Sequence, residues 1–119
     1  MDDCVFCKII NQTLPTDILF EDEHCIVIQD HRPLTPVHLL IISRKHVASL
    51  NELQEQDEPL AGHMLLVAKK VAQQRGFADK GYRLVINTGA PAGQTVFHLH
   101  IHILSGSPSV TSLTTRGMQ

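Results

Sequence analysis

Near its C-terminus the chain reads His98-Leu99-His100-Ile101-His102-Ile103-Leu104, and no other segment narrows the possible folds as tightly. Polar and apolar side chains alternate strictly from His98 to Ile103, which is the period of a β-strand. The three imidazoles then share one face, and Leu99, Ile101 and Ile103 share the other. Same-face neighbours stand about 7 Å apart. A row of this kind suits two chemistries. Neutral imidazole is a common zinc ligand. It is also a nucleophile at neutral pH, once a hydrogen bond on one ring nitrogen fixes the tautomer. In the preceding loop, Gly89 and Gly93 let backbone N–H groups approach a ligand, and Gln94 and Thr95 add neutral donors. Taken alone, that loop reads as a hairpin turn.

Composition limits what the histidines serve. With 119 residues, 43% hydrophobic and 18% charged, the chain has the core material for one domain, 1–119. A net charge of −2 argues against a nucleic-acid partner, which calls for a basic surface. Eight histidines are present, three of them in the stretch from 84 to 115, which has no Asp, Glu, Lys or Arg. An anion bound there meets imidazole, hydroxyl, amide and backbone donors. Three cysteines make a disulfide framework improbable on count and point to a reducing, cytoplasmic setting. The acidic start, Met1-Asp2-Asp3-Cys4, is not a signal peptide, and no apolar run is long enough for a membrane span.

The spacing of apolar residues predicts a short helix over 4–11 and strands over 18–20, 25–29, 37–43, 82–87 and 95–104. A long helix is expected over 57–75, with Asp57 as its N-cap, Pro59 in its first turn and Gly76 at its stop. Residues 105–119, rich in Ser and Thr, read as a tail. The expected class is α+β: an antiparallel sheet of about five strands, one main helix and a short N-terminal helix.

The triad segment resembles the signature of the histidine triad (HIT) family. Phe6-Cys7-Lys8-Ile9-Ile10, Glu21-Asp22-Glu23, Asp30, Thr35-Pro36-Val37-His38, Lys45-His46, Gly81-Tyr82-Arg83 and the run from Asn87 to Val96 extend the likeness over most of the chain. They are similar to the HINT-like branch of purine nucleoside phosphoramidases. That resemblance implies a HIT-like fold and a homodimer that hydrolyses an adenosine monophosphate joined to an amine. It implies His100 as the nucleophile, with His102 and His38 orienting it and His98 completing the triad. Gln94 and Thr95, beside Gly93, would lie near the phosphate and leaving group, and Asn87 near the phosphate. Phe6, Ile9 and Ile28 would line the base pocket, and Asp30 would hold the ribose hydroxyls. The chain departs from the branch pattern at His31-Arg32, at Ala92, at Ser105 and in its tail; His31 makes the expected base pocket more polar.

The reaction has a rationale apart from the family. A phosphoimidazole intermediate splits the barrier in two, and the route requires no metal. Two other functions fit the same residues: hydrolysis of dinucleoside polyphosphates, and nucleotide binding or scaffolding with vestigial activity. Cys4-x-x-Cys7 allows a redox pair, disfavoured without a βαβ context, or half of a structural zinc site. The other half, by likeness to zinc-binding members of the wider family, would be His46 and His98. Cys25 reads as a buried apolar residue. His24 and His63 show no partner pattern and are expected at the surface or as caps, and Arg44-Lys45 as a solvated pair.

Overall fold

Five antiparallel strands form one sheet: β1 (Ile18–Glu21), β2 (Cys25–Gln29), β3 (Val37–Ser43), β4 (Arg83–Val85) and β5 (His100–Ser105), in the order β1-β2-β3-β5-β4. Two helices, α1 (Val5–Ile10) and α2 (Glu58–Gln74), complete the α+β class that the sequence predicts. The computed structural model describes residues 3–106, so most of the expected tail lies outside the described residues.

The sheet has two apolar faces. Cys25, Val27, Leu39, Ile41, Leu99, Ile101 and Ile103 pack against Met64, Val67, Ala68, Val71 and Ala72 of α2. Ile26, Ile28, Leu40 and Ile42 point the other way, onto Phe6 and Ile9 of α1. In the β3–β5 ladder Ile42 faces His100 and Leu40 faces His102. Opposed residues in a ladder project to the same side, so both imidazoles lie under α1. Alternation along β5 therefore does two things at once: its apolar set completes the α2 core, and its polar set builds the opposite face.

Three expectations need correction. The strand expected over 95–104 enters the ladder only at His100. Just before it, Leu99 donates its N–H to Val47 O at 2.7 Å and accepts from Ser43 N at 3.3 Å, so the backbone pairs with the turn after β3. Ser105 is not tail: it ends β5, is fully buried, and donates its hydroxyl to Gly81 O at 2.6 Å. Asp57 sits at the N-cap of α2 without capping it. Its carboxylate accepts from Gln54 N at 2.9 Å and from Lys45 Nζ at 2.6 Å, so Lys45 is not simply a solvated cation. At the other end Gly76 has φ +82°, and Phe77 N–H donates to Ala72 O at 3.0 Å, the Schellman closure that a glycine permits.

Candidate functional site

A relay of backbone and imidazole groups sets the protonation of the β5 histidines. Leu34 N–H donates to His38 Nδ1 at 3.0 Å, which leaves the His38 proton on Nε2. That proton points to His102 Nδ1 at 2.9 Å, so His102 carries its own proton on Nε2. His102 Nε2 is buried and has no partner among the described protein atoms. One main-chain N–H, in the loop before β3, thus orients a donor 68 residues away in sequence. His100 is set differently: its Nδ1–H donates to His98 O at 2.6 Å, which places the lone pair on Nε2. The expected orientation of His100 by His38 is therefore indirect. His38 acts on His102, whose ring lies 5.1 Å from that of His100.

Two more buried polar atoms lack a protein partner among the described residues, Asp30 Oδ2 and Asn87 Nδ2. Asp30 Oδ1 accepts from Arg32 N at 2.8 Å; Oδ2 lies 3.3 Å from His38 Nε2, whose proton is directed at His102. The orphans are two donors, His102 Nε2–H and Asn87 Nδ2–H, and one carboxylate acceptor. Left dry and unpaired, each costs about 1–3 kcal/mol, more for the charge, so each favours a polar partner from outside the protein.

Under α1, against Phe6 and Leu40, lies a cavity of about 330 Å³, near the lower end of small-ligand sites, about 300–1,000 Å³. Phe6, Ile9 and Ile28 line it, with Leu40 and Val96, and His31 and Gln29 add polar edges. The Phe6 ring meets His100 edge-on at 5.0 Å and His98 at 5.9 Å, so α1 roofs both cavity and triad. The loop before β5 holds Gly89 at φ +87° and Gly93 at φ +105°, where a side chain would be strained. Gln94 does not present its side chain to a ligand. Its Oε1 accepts from Gly89 N at 2.8 Å and its Nε2 donates to Ala48 O at 2.7 Å and Val96 O at 3.1 Å, so the amide braces the loop. Thr95 is exposed beside a second depression of about 410 Å³, which shares Val5 and Val96 with the first.

Cys4, Cys7, His46 and His98 converge, their ligand atoms all within 4.8 Å of one another. His46 Nδ1 lies 3.1 Å from His98 Nδ1 and 3.2 Å from Cys7 Sγ; His98 Nδ1 lies 3.3 Å from Cys4 Sγ and 3.6 Å from Cys7 Sγ. Zinc bonds of about 2.0–2.3 Å in a tetrahedron require ligand atoms about 3.3–3.8 Å apart, so the four fit zinc with small adjustment. His98 Nε2–H donates to Ser43 O at 2.6 Å, the outer hydrogen bond that aims the Nδ1 lone pair at a metal. Burial, then the neighbouring Cys4, pushes the Cys7 thiol pKa up, as expected of two thiols crowded without a cation. His98 therefore divides its duties: its ring belongs to this cluster, and its carbonyl sets the tautomer of His100.

Burial, reinforced by the His100 and His38 charges, lowers the His102 pKa from 6.5 to about 3. Burial also lowers that of His38, against the pull of Asp30. Between about pH 6.5 and about 3 the unfolded chain binds protons that the folded chain refuses, so stability should be full above that window and fall as pH drops through it. Urea unfolding from about pH 7 down to about pH 4 should show midpoints that decrease; a midpoint that rises on acidification contradicts the assignment.

Sequence reasoning missed the groups that act through the main chain, Leu34 N–H, Ser43 O and His98 O, because a backbone group leaves no mark in a sequence. It also missed one side-chain pair. His63 Nε2 lies 2.6 Å from Asp22 Oδ2, and the His24 and His63 rings meet at a tilt with centroids 4.6 Å apart, so neither histidine is an isolated surface residue. Cys25 is buried as expected, and burial, with Asp22 beside it, pushes its thiol up to about 12.

The family model described as "Scavenger mRNA decapping enzyme C-term binding" matches residues 3–116. An uncharacterized HIT-like protein of Synechocystis is 48% identical over 107 residues, covering 90% of this chain and 93% of that one. Among solved structures, a HIT family hydrolase from Clostridium thermocellum superposes with a TM-score of 0.88 at 48% identity, covering 91% and 94% of the two chains. A HIT family hydrolase from Legionella pneumophila gives 0.86 at 43% identity, covering 88% and 94%.

Proposed function

The chain belongs to the histidine triad family, and from that membership we propose that it hydrolyses purine nucleoside phosphoramidates, an adenylate joined to an amine, through a nucleotidyl intermediate on His100. The observation that carries the reading is the 2.6 Å bond from His100 Nδ1–H to His98 O, which sets the tautomer with its lone pair on Nε2. Nε2 bonds to phosphorus, the P–N bond breaks, and the amine leaves with a proton from water. Water then attacks the phosphoimidazole, releasing the nucleotide and restoring the imidazole. The donors of His102 and Asn87 fit two phosphoryl oxygens and Asp30 Oδ2 fits a ribose hydroxyl, with the base in the Phe6, Ile9 and Ile28 cavity. Thr95, exposed on the far side of Val96, fits the leaving-group side.

One observation favours an amine over a polyphosphate leaving group. The segment from 84 to 106 carries no Lys or Arg, so it offers a second phosphate no formal positive charge. Catalysis on this route uses no metal. Zinc, held by Cys4, Cys7, His46 and His98, would supply a structural clamp between α1 and the chain ahead of β5. The test is a rapid quench without acid, followed by mass spectrometry: an adduct of one nucleotidyl group on His100 is expected, and hydrolysis with no adduct at any histidine overturns the reading.

The resemblance to a dimeric branch extends to assembly. β4 is a sheet edge of three residues flanked by the exposed Tyr82 and Ile86, and an unpaired edge invites its twofold mate. Light scattering should report twice the 13.2 kDa chain mass; a monomer at micromolar concentration contradicts it. The partners expected are thus the nucleotide and a second copy. No described helix is long and apolar enough to cross a membrane.

A further inference from the structure

The α2 side of the sheet carries a second group of metal-ligating side chains, which the proposed reaction does not use. Asp22 stands in the β1–β2 turn, Cys25 begins β2, and His63 lies one turn and a half into α2. One ligand atom from each falls within 4.8 Å of the others. Asp22 is held for the purpose: Oδ1 accepts from His24 N at 2.9 Å and Cys25 N at 3.0 Å, which fixes the carboxylate and turns Oδ2 to His63 Nε2 at 2.6 Å. Asp22 and His63 are about a quarter and a third exposed, so the group is reached from water, whereas the Cys25 thiol closes it from inside.

We propose that Asp22, Cys25 and His63 form a second site for a divalent cation of borderline softness, of the zinc or cobalt kind, on the face of the sheet opposite the Cys4, Cys7, His46 and His98 cluster. One sulfur, one imidazole and one carboxylate are a donor set for such an ion, whereas calcium and magnesium take oxygen alone. A carboxylate and a thiolate balance a double positive charge. The nearest opposing cation, Arg44, is occupied: its Nε donates to Asp22 O at 2.6 Å and its Nη2 reaches Glu21 at 3.4 Å. The fourth position has a neighbour in the His24 ring, tilted against His63 at 4.6 Å and nearly half exposed; water is the alternative ligand.

The proton balance is simple. The metal replaces the Cys25 thiol proton, which goes to water, and the imidazole proton directed at Asp22 moves to Nδ1 of His63. Nothing is oxidised. In the bare protein the Asp22–His63 pair joins the β1–β2 turn to α2, and the Cys25 thiol donates to the Asp22 carboxylate, so both ligand protons sit where a cation would replace them. In the bare protein that thiol stays protonated, with its pKa at about 12; a bound cation supplies the charge that a thiolate needs.

Cobalt(II) titration of the full chain tests the site, because a thiolate ligand gives a charge-transfer band that a carboxylate or imidazole does not. The wild type should take about two equivalents, one for each site. Cys25→Ser and His63→Ala should each lose one equivalent and retain the band from Cys4 and Cys7. The Cys4→Ser/Cys7→Ser chain should keep one equivalent with a thiolate band, and adding Cys25→Ser should abolish it. Should the double variant not fold, the stoichiometry of Asp22→Asn and His63→Ala by equilibrium dialysis decides the matter. The site is refuted if the folded Cys4→Ser/Cys7→Ser chain takes no equivalent, or if Cys25→Ser leaves the wild-type stoichiometry and band unchanged.

Discussion

Replacing His100 with alanine should lower turnover of an adenylate amidate by about four orders of magnitude or more, the scale expected when a nucleophile is deleted. Nucleotide affinity should change little, because the base cavity and Asp30 Oδ2 are built from other elements. The two effects are separable by single-turnover kinetics and by equilibrium binding of the product nucleotide. His102→Ala and His38→Ala should cost less, about 10²–10³ each, the range for removing a preorganised donor. Because Leu34 N–H, His38 and His102 act in series, the His38→Ala/His102→Ala double variant should be scarcely slower than the His102→Ala single variant. Full additivity of the two losses would break the relay; unimpaired turnover by His100→Ala would remove the nucleophile and leave the triad to be reread as a metal site.

Zinc removal should have the second large effect, on stability. Structural zinc contributes about 10–16 kcal/mol of apparent binding free energy in small peptides, where folding and binding are one event. Here the core on the α2 side folds around other residues, so only part of that energy reports on global unfolding. A loss of several kcal/mol, or about 10 °C or more in Tm, is expected for Cys7→Ser or for chelation. Protein purified without chelator should carry about one zinc held by this cluster. The consequence extends to the nucleotide. α1 bears Cys7 on the metal cluster and Phe6 and Ile9 on the cavity proposed for the base, so chelation should weaken nucleotide binding as well as lower Tm. A zinc content near zero together with an unchanged Tm in Cys4→Ser would dispose of the site.

The fold was legible in the sequence because its signals are periodic and local. Alternation from His98 to Ile103 marks a strand with two unlike faces, and the i, i+4, i+7, i+11 apolar set of Leu60, Met64, Val67 and Val71 marks α2. Element limits were less legible where tertiary pairing competes. Leu99 has the side-chain pattern of its neighbours, yet its backbone bonds to Val47, and no side-chain pattern records that choice. Ser105 reads as the start of a polar tail; it lies inside the sheet because Gly81 O is there to receive its hydroxyl.

For the candidate site, the sequence by itself determined which side chains are present and which face they share. Three imidazoles at alternate positions, two thiols three residues apart on one helix turn, and an acid ahead of His38 all follow from spacing. The tertiary structure decided what each imidazole does. His98, His100 and His102 are chemically identical and equally spaced, and they differ only in the groups across from them: Ser43 O and two thiols for His98, a carbonyl two residues back for His100, and His38 for His102. Tautomer, pKa and ligand role depend on hydrogen bonds and desolvation over a few ångströms, and those are set by contacts between residues up to 94 positions apart. Such contacts exist only once β3, β5 and α1 have packed, and for that reason the strand is read from the chain and the division of labour along it is not.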